Sequence, residues 1–281
     1  MSHHLLIVDG HNLLFQMFFG MPARICNREG GPIQGIVGFI GALRNILQMT
    51  APTHILVLFD REQENSRAKL DPQYKSTRPD FSSLPEEDCP FSQLPDIYTV
   101  LDMLHITHFE ADGAEADDAI ACYVRAYGAE GQVTIASFDS DFFQLITPNV
   151  RVLRYRGKRQ TVICDEAYLQ DRYAITPAQY VDFKALTGDT ADHIPGADHV
   201  GPKTAAYLLS VWQTLDNLLT HADQIPNRSC GRQLRQSDRL RLNQQLIRLN
   251  DRAVIPLALD TLVYTGFPFT TGEILSRAGI Q

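Results

Sequence analysis

Apolar residues fall in two rhythms along this chain. In the first part, short unbroken apolar runs such as 5–8 and 55–59 alternate with longer stretches whose apolar positions recur every three or four residues. Unbroken runs of this length read as strands buried on both faces, and the recurring spacing reads as helix. Strands are predicted at 3–8, 54–59, 105–109, 132–138 and 150–153, and helices at 33–49, 93–104, 115–127 and 141–146. This alternation predicts an α/β fold with a mostly parallel central sheet flanked by helices. After Asp165 the strand rhythm fades and helical spacing takes over. The chain is therefore expected to divide near Ile163 into an α/β part, 1–163, and a helical part, 164–281.

Residues 61–90 follow neither rhythm. They carry many charges, Pro72, Pro79, Pro85 and Pro90, and few large apolar side chains. Such a stretch is too polar for a core and too long for an ordinary connection. A solvated surface loop is one reading. Its start, just after the aspartate that ends a strand, favours a loop that handles substrate.

Composition narrows the classes. With 44% hydrophobic and 21% charged residues the chain resembles a globular protein. No apolar run nears the roughly 20 residues that cross a bilayer, and the N-terminal run is too short for a signal peptide. Cys26, Cys89, Cys122, Cys164 and Cys230 are odd in number and scattered, which suits reduced thiols in a cytoplasmic protein. The net charge of −8 argues at first against a nucleic-acid partner.

The positions of the acids change that view. Three predicted strands end in aspartate: Asp9, Asp60, and Asp139 with Asp141 two residues later. Sites in open parallel sheets form beyond the carboxyl ends of the strands. Singly, each aspartate reads as a cap or turn residue; three at corresponding positions point to a site. Further acids open helices: Glu115, Asp117 and Asp118, then Asp189 and Asp192. Helix-dipole complementation is the ordinary account of the first set, and capping ahead of the Ile194-Pro195-Gly196 turn that of the second. If all nine converge they repel one another unless cations neutralise them, and an all-oxygen donor set selects Mg²⁺ or Mn²⁺. These nine more than account for the net charge of −8, which leaves room for a basic face elsewhere.

The motifs Val8-Asp9-Gly10-His11-Asn12-Leu13, Phe59-Asp60, Glu115-Ala116-Asp117-Asp118, Asp139-Ser140-Asp141 and Thr187-Gly188-Asp189-Thr190-Ala191-Asp192-His193-Ile194-Pro195-Gly196 occur in one order. In that order the chain resembles the bacterial and phage 5′-3′ exonuclease (flap endonuclease) family, which includes the N-terminal 5′-nuclease domain of DNA polymerase I. The resemblance runs from about residue 5 to 254. It implies a PIN-like nuclease fold with a helical arch inserted at about 61–90 and a helix-hairpin-helix at about 188–212. It also implies two metal groups: Asp9, Asp60, Glu115 and Asp117 in the tighter one, and Asp118, Asp139, Asp141, Asp189 and Asp192 in the other.

Tyr74-Lys75-Ser76-Thr77-Arg78 resembles the family's arch motif, implying that Lys75 and Arg78 contact the scissile phosphate, with Arg67 and Lys184 as further basic contacts to DNA. The same likeness implies that the segment around Gly196, Gly201, Lys203 and Thr204 grips duplex phosphates through backbone N–H groups and holds K⁺. His199 departs from it, standing where the family has the first glycine of a Gly-x-Gly turn. Histidine takes a positive φ only uncommonly, so an adjusted hairpin is expected. Arg228, Arg232, Arg235, Arg239, Arg241, Arg248 and Arg252 read either as a DNA-backbone patch or as a solvated helix face.

The expected function is divalent-metal hydrolysis of DNA phosphodiesters near single-strand/duplex junctions in replication or repair. Catalysis would rest on Lys75, Arg78, Asp117 and Asp118. DNA with 5′ single-stranded flaps is the expected partner, RNA–DNA hybrid a further substrate, and the chain a monomer with no membrane or small-molecule partner. Two alternatives stay open: a non-catalytic structure-specific DNA-binding protein on the same scaffold, and a PIN-like RNase.

Overall fold

The computed structural model describes residues 3–61, 66–76, 81, 84–112, 115–225, 234 and 237–280. Six strands, β1 His4–Asp9, β2 His54–Asp60, β3 His108–Ala111, β4 Gln132–Ala136, β5 Val150–Arg154 and β6 Val162–Cys164, form one sheet in the order β3-β2-β1-β4-β5-β6. All neighbours pair in parallel except β5 and β6. β1 lies between β2 and β4, with Val8 level with Val57 on one side and Ala136 on the other. Strand order reverses between β1 and β4, and a crevice opens at such a switch point.

The helices are α1 Gly10–Gly20, α2 Gln34–Thr50, α3 Ser66–Leu70, α4 Leu94–Met103, α5 Ala116–Tyr127, α6 Glu166–Tyr173, α7 Tyr180–Thr187, α8 Pro202–Trp212, α9 Leu215–Thr220, α10 Ser237–Ile247 and α11 Thr271–Arg277. Alternate residues of β1 face opposite layers. Leu6 and Val8 meet α1, α2 and α4, whereas Leu5 and Ile7 meet α5 and the apolar faces of the later helices. Both faces are covered, which is why the strands read as unbroken apolar runs.

The structure departs from the predicted elements in four places. α1 was not expected: its glycine ends and the adjacent Phe18 and Phe19 blur the helical spacing, but Asp9 caps it by accepting from the Asn12 amide. The strand predicted at 105–109 begins pairing only at His108, because His105 turns the chain with a φ of 53°. The helix predicted at 141–146 is a short 3-10 turn, Asp141–Leu145, and β6 was not foreseen.

The division near Ile163 also needs correcting. Residues 164–281 are not one helical part, because Val263 bridges to His54 and the Tyr264 amide donates to the Thr53 carbonyl at 2.8 Å. Ile274, Leu275 and Ile280 then bury themselves in the α1–α2–α4 layer. Among the described residues no helix is long and apolar enough to cross a membrane.

Candidate active site

β1 and β2 deliver Asp9 and Asp60 at their carboxyl ends, and the turn after β4 delivers Asp139. Side chains stitch these ends together. The Ser137 hydroxyl donates to Asp9 Oδ2 at 2.8 Å and accepts from the Asp139 amide at 3.0 Å. Asn12 Oδ1 accepts from the Phe138 amide at 2.9 Å. Asp60 Oδ1 accepts from the Ala116 amide at 2.8 Å, so an aspartate on a distant strand holds the N-terminus of α5, whose first turn carries Asp117.

These acids oppose one another electrostatically. Burial, then the charge of Asp60, pushes Asp9 up to about 7. Burial, then the charges of Asp139, Asp9 and Asp60, drives Asp117 well above the ordinary carboxylate range. Asp60 is half-exposed at the crevice; its partial burial is outweighed by His11, the Ala116 amide and Lys75, which hold it low. Lys75 reaches in from the insert, donating to Glu115 Oε1 at 2.5 Å, while its backbone N–H donates to the Asp192 carbonyl.

A second group adjoins the first. Carboxylate oxygens of Asp141, Asp189 and Asp192 lie within 4.8 Å of one another. The Asp141 amide donates to Asp139 Oδ1 at 2.8 Å, which links the two groups. Lys184 donates to both Asp141 and Asp189. Burial pushes Asp141 up to about 7 despite this lysine, whereas Lys184 overcomes burial at Asp189 and holds it low. The loop bearing Asp189 and Asp192 is closed by two short strands, β7 Gly188–Asp189 and β8 Ile194–Pro195. Gly188 and Gly196 meet back to back there: a Cβ on Gly188 would lie 2.4 Å from the Gly196 nitrogen.

The hairpin that follows forms with histidine in place. His199 adopts a φ of 63° and is exposed, so the turn keeps its left-handed residue without glycine. Gly201 is the N-cap of α8, and Gly201, Pro202 and Lys203 are exposed, with Thr204 half-buried. Free N–H groups of a first helical turn thus face outward there.

Three expected residues take different places. Asp118 is bridged to Glu115 by Arg67, accepting from that guanidinium at 2.6 and 3.2 Å and from the Asn250 amide at 2.8 Å. Arg67 and Lys184, expected at the DNA, are buried ion-pair residues with side chains only 7% and 9% exposed. In this structure both cations are engaged by carboxylates inside the fold. Arg78, Arg228, Arg232 and Arg235 lie outside the described residues; Arg239 and Arg241 pair with Asp71 and Asp216. Sequence reasoning missed Ser137 and His11. His11 lies within a quoted motif, but nothing local marks Ser137.

The donor set tests the metal expectation. Asp9 is buried and Asp117 half-buried among like charges, and the converging donor atoms are carboxylate oxygens rather than nitrogen or sulfur. Hard divalent cations fit such a set.

Residues 4–174 match the family described as 5′-3′ exonuclease, N-terminal resolvase-like domain, and residues 175–269 match 5′-3′ exonuclease, C-terminal SAM fold. The chain belongs to the 5′-3′ exonuclease family. Metal-dependent nuclease activity is typical of this family. DNA polymerase I of Rhizobium leguminosarum is 35% identical over 92% of the chain, and the thermostable DNA polymerase I of Thermus thermophilus is 34% identical over 91%. The chain spans only 26% and 29% of those two proteins.

Among solved structures, a T5 5′-exonuclease with divalent metal ions (zinc) bound shares the fold with a TM-score of 0.72. Its identity is 21%, over 98% of this chain and 99% of that one. The catalytic core of Rad2 in complex with DNA substrate gives a TM-score of 0.59 at 13% identity, covering 100% and 88%. Both confirm the mostly parallel sheet with its helical extension.

Proposed function

We propose that this 5′-3′ exonuclease-family chain is a structure-specific nuclease that cuts DNA near the junction of a 5′ single-stranded flap and duplex, in replication or repair. The observation that carries this reading is the convergence of Asp9, Asp60, Asp117 and Asp139 on one crevice, with Lys75 brought into it from the insert. Mg²⁺, replaceable by Mn²⁺, would be held by these carboxylates with Glu115 and by the Asp141–Asp189–Asp192 group. When bound it would supply an activated water and stabilise the departing 3′-oxygen.

The protein's own groups do the rest. Lys75, displaced from Glu115 by substrate, places a fixed positive charge at the scissile phosphate, with Arg78 beside it in sequence. Backbone N–H groups at the start of α8, near Gly201, Lys203 and Thr204, grip the duplex through phosphates and ignore base identity. K⁺ at this hairpin, action on RNA–DNA hybrids, a cytoplasmic location and a monomeric state belong to the same proposal. The bacteriophage T5 flap endonuclease, solved as a pseudo-enzyme-product complex with DNA and metal ions, supports the substrate class.

Cleavage of a 5′-labelled flap substrate with Mg²⁺, Mn²⁺ or EDTA tests it. Cutting near the junction that EDTA abolishes is expected, with binding that weakens steeply as salt rises. Tight flap binding without cutting under either metal would move the chain to a DNA-binding scaffold.

A further inference from the structure

The end of α10 is where two acid-bearing segments meet. Carbonyls in the last turn of a helix lack partners along the helix and must find them elsewhere. Here they find two side chains from the active-site layer. Gln144, in the turn that carries Asp141, donates from Nε2 to the Ile247 carbonyl at 3.1 Å and to the carbonyl of Asp141 at 2.8 Å. Its Oε1 accepts from the Leu249 amide at 3.0 Å. Arg67, on α3 at the base of the insert, donates to the Arg248 carbonyl at 3.1 Å while its guanidinium holds Glu115 and both oxygens of Asp118. Asp118 in turn accepts from the Asn250 amide.

Farther up α10, the wholly buried Asn243 donates to the carbonyls of Ala185 at 3.1 Å and Pro195 at 2.7 Å, flanking the loop of Asp189 and Asp192. Arg239 pairs with Asp71 just after α3. Every acid-bearing segment from α5 onward is thus tied to α10 or to the three residues after it, none of which contributes a carboxylate to the crevice.

We infer that Arg67 and Gln144 are positioning residues for the nuclease reaction. By pinning Glu115 with Asp118, and Asp141, to the C-terminal turn of α10, they set the spacing of the two carboxylate groups and join it to the base of the insert. This rests on the nuclease reading above, and it assigns Arg67 to the acids instead of to DNA. Outer partners that orient ligands in this way typically change metal affinity or activity by roughly 10–100-fold when lost.

The test uses the full chain with Arg67→Lys, Arg67→Ala and Gln144→Leu, at a temperature where circular dichroism shows each folded. Three quantities are measured: Mn²⁺ affinity by calorimetry, flap affinity in Ca²⁺, and single-turnover cleavage. Weaker Mn²⁺ binding and slower turnover, by about 10–100-fold, with flap affinity unchanged and no rescue by lysine, is the expected result. Lysine restoring the wild-type rate, or flap affinity falling while Mn²⁺ affinity holds, would make Arg67 a DNA contact and overturn the inference. A lowered melting temperature with Mn²⁺ affinity and turnover intact would overturn it too, leaving a plain structural brace. If the Arg67 variants do not fold, Gln144→Leu, which removes no charge, decides alone. Should the wild type bind Mn²⁺ yet cut nothing, the nuclease reading falls while the Mn²⁺ comparison still judges the positioning role.

Discussion

The two carboxylate groups share one edge of the sheet but meet their charge differently. Around Asp9, Asp60 and Asp117 the acids face one another; Lys75, the cation whose charge bears on Asp60 and Asp117, belongs to the insert and shares Glu115 with Arg67. Around Asp141, Asp189 and Asp192 the cation is Lys184, buried within the fold itself. The first group therefore holds stored repulsion that an added cation relieves. The second is only partly neutralised, by one lysine among three carboxylates, and burial still raises Asp141. A fold keeps unrelieved repulsion where function uses it.

The largest effect that can break this contrast is on cleavage. Losing one preorganised electrostatic group costs roughly 10²–10³-fold. Asp117→Ala should exceed that in single-turnover rate, and Asp189→Ala should fall short of it; equal losses would erase the distinction between the groups. Lys75→Ala should slow single-turnover cleavage by about 10²–10³-fold with flap affinity kept. An unchanged rate would remove Lys75 from the reaction.

Stability in EDTA should move in opposite directions for the two groups. Lys184→Met strips the buried Asp141 and Asp189 of their partner and should cost about 3–5 kcal/mol by denaturant melts. Asp9→Asn should stabilise instead. Folded Asp9 keeps its proton up to about pH 7, against 3.8 for the ordinary carboxyl. Metal-free protein thus loses stability as pH rises through that window, and at pH 8 the asparagine variant should gain up to roughly 4 kcal/mol. The gain should vanish below pH 4. A gain independent of pH would show that Asp9 is not strained by its charge.

The smallest effect lies outside both groups. His199→Gly relieves a left-handed residue at the hairpin but loosens the unfolded chain, so stability should change by about 1 kcal/mol or less, with cleavage unaltered. A large loss of flap affinity would give His199 a phosphate contact.

Much of the site is legible in the sequence because strand-end aspartates follow apolar runs that cannot be mistaken for loops. Asp9, Asp60 and Asp139 needed only the parallel sheet to become neighbours. The partner of Asp118 was not legible, for a different reason. Spacing puts Asp118 on the same helical turn as Glu115, but which way its carboxylate turns depends on Arg67, 51 residues away in sequence. Lys184 looked like a surface cation for the same reason: nothing beside it in the chain announces that Asp141 lies against it.

The amino-acid sequence by itself determined the fold class, the strand-end carboxylates and the family, since these rest on local apolar spacing and on short motifs in order. Only the tertiary structure decided which cations are buried, that residues 263–280 return to the first layer, and that α10 and the three residues after it gather the acid-bearing segments. Those outcomes depend on hydrogen bonds and ion pairs between residues far apart in the chain, and on burial that makes each pairing obligatory.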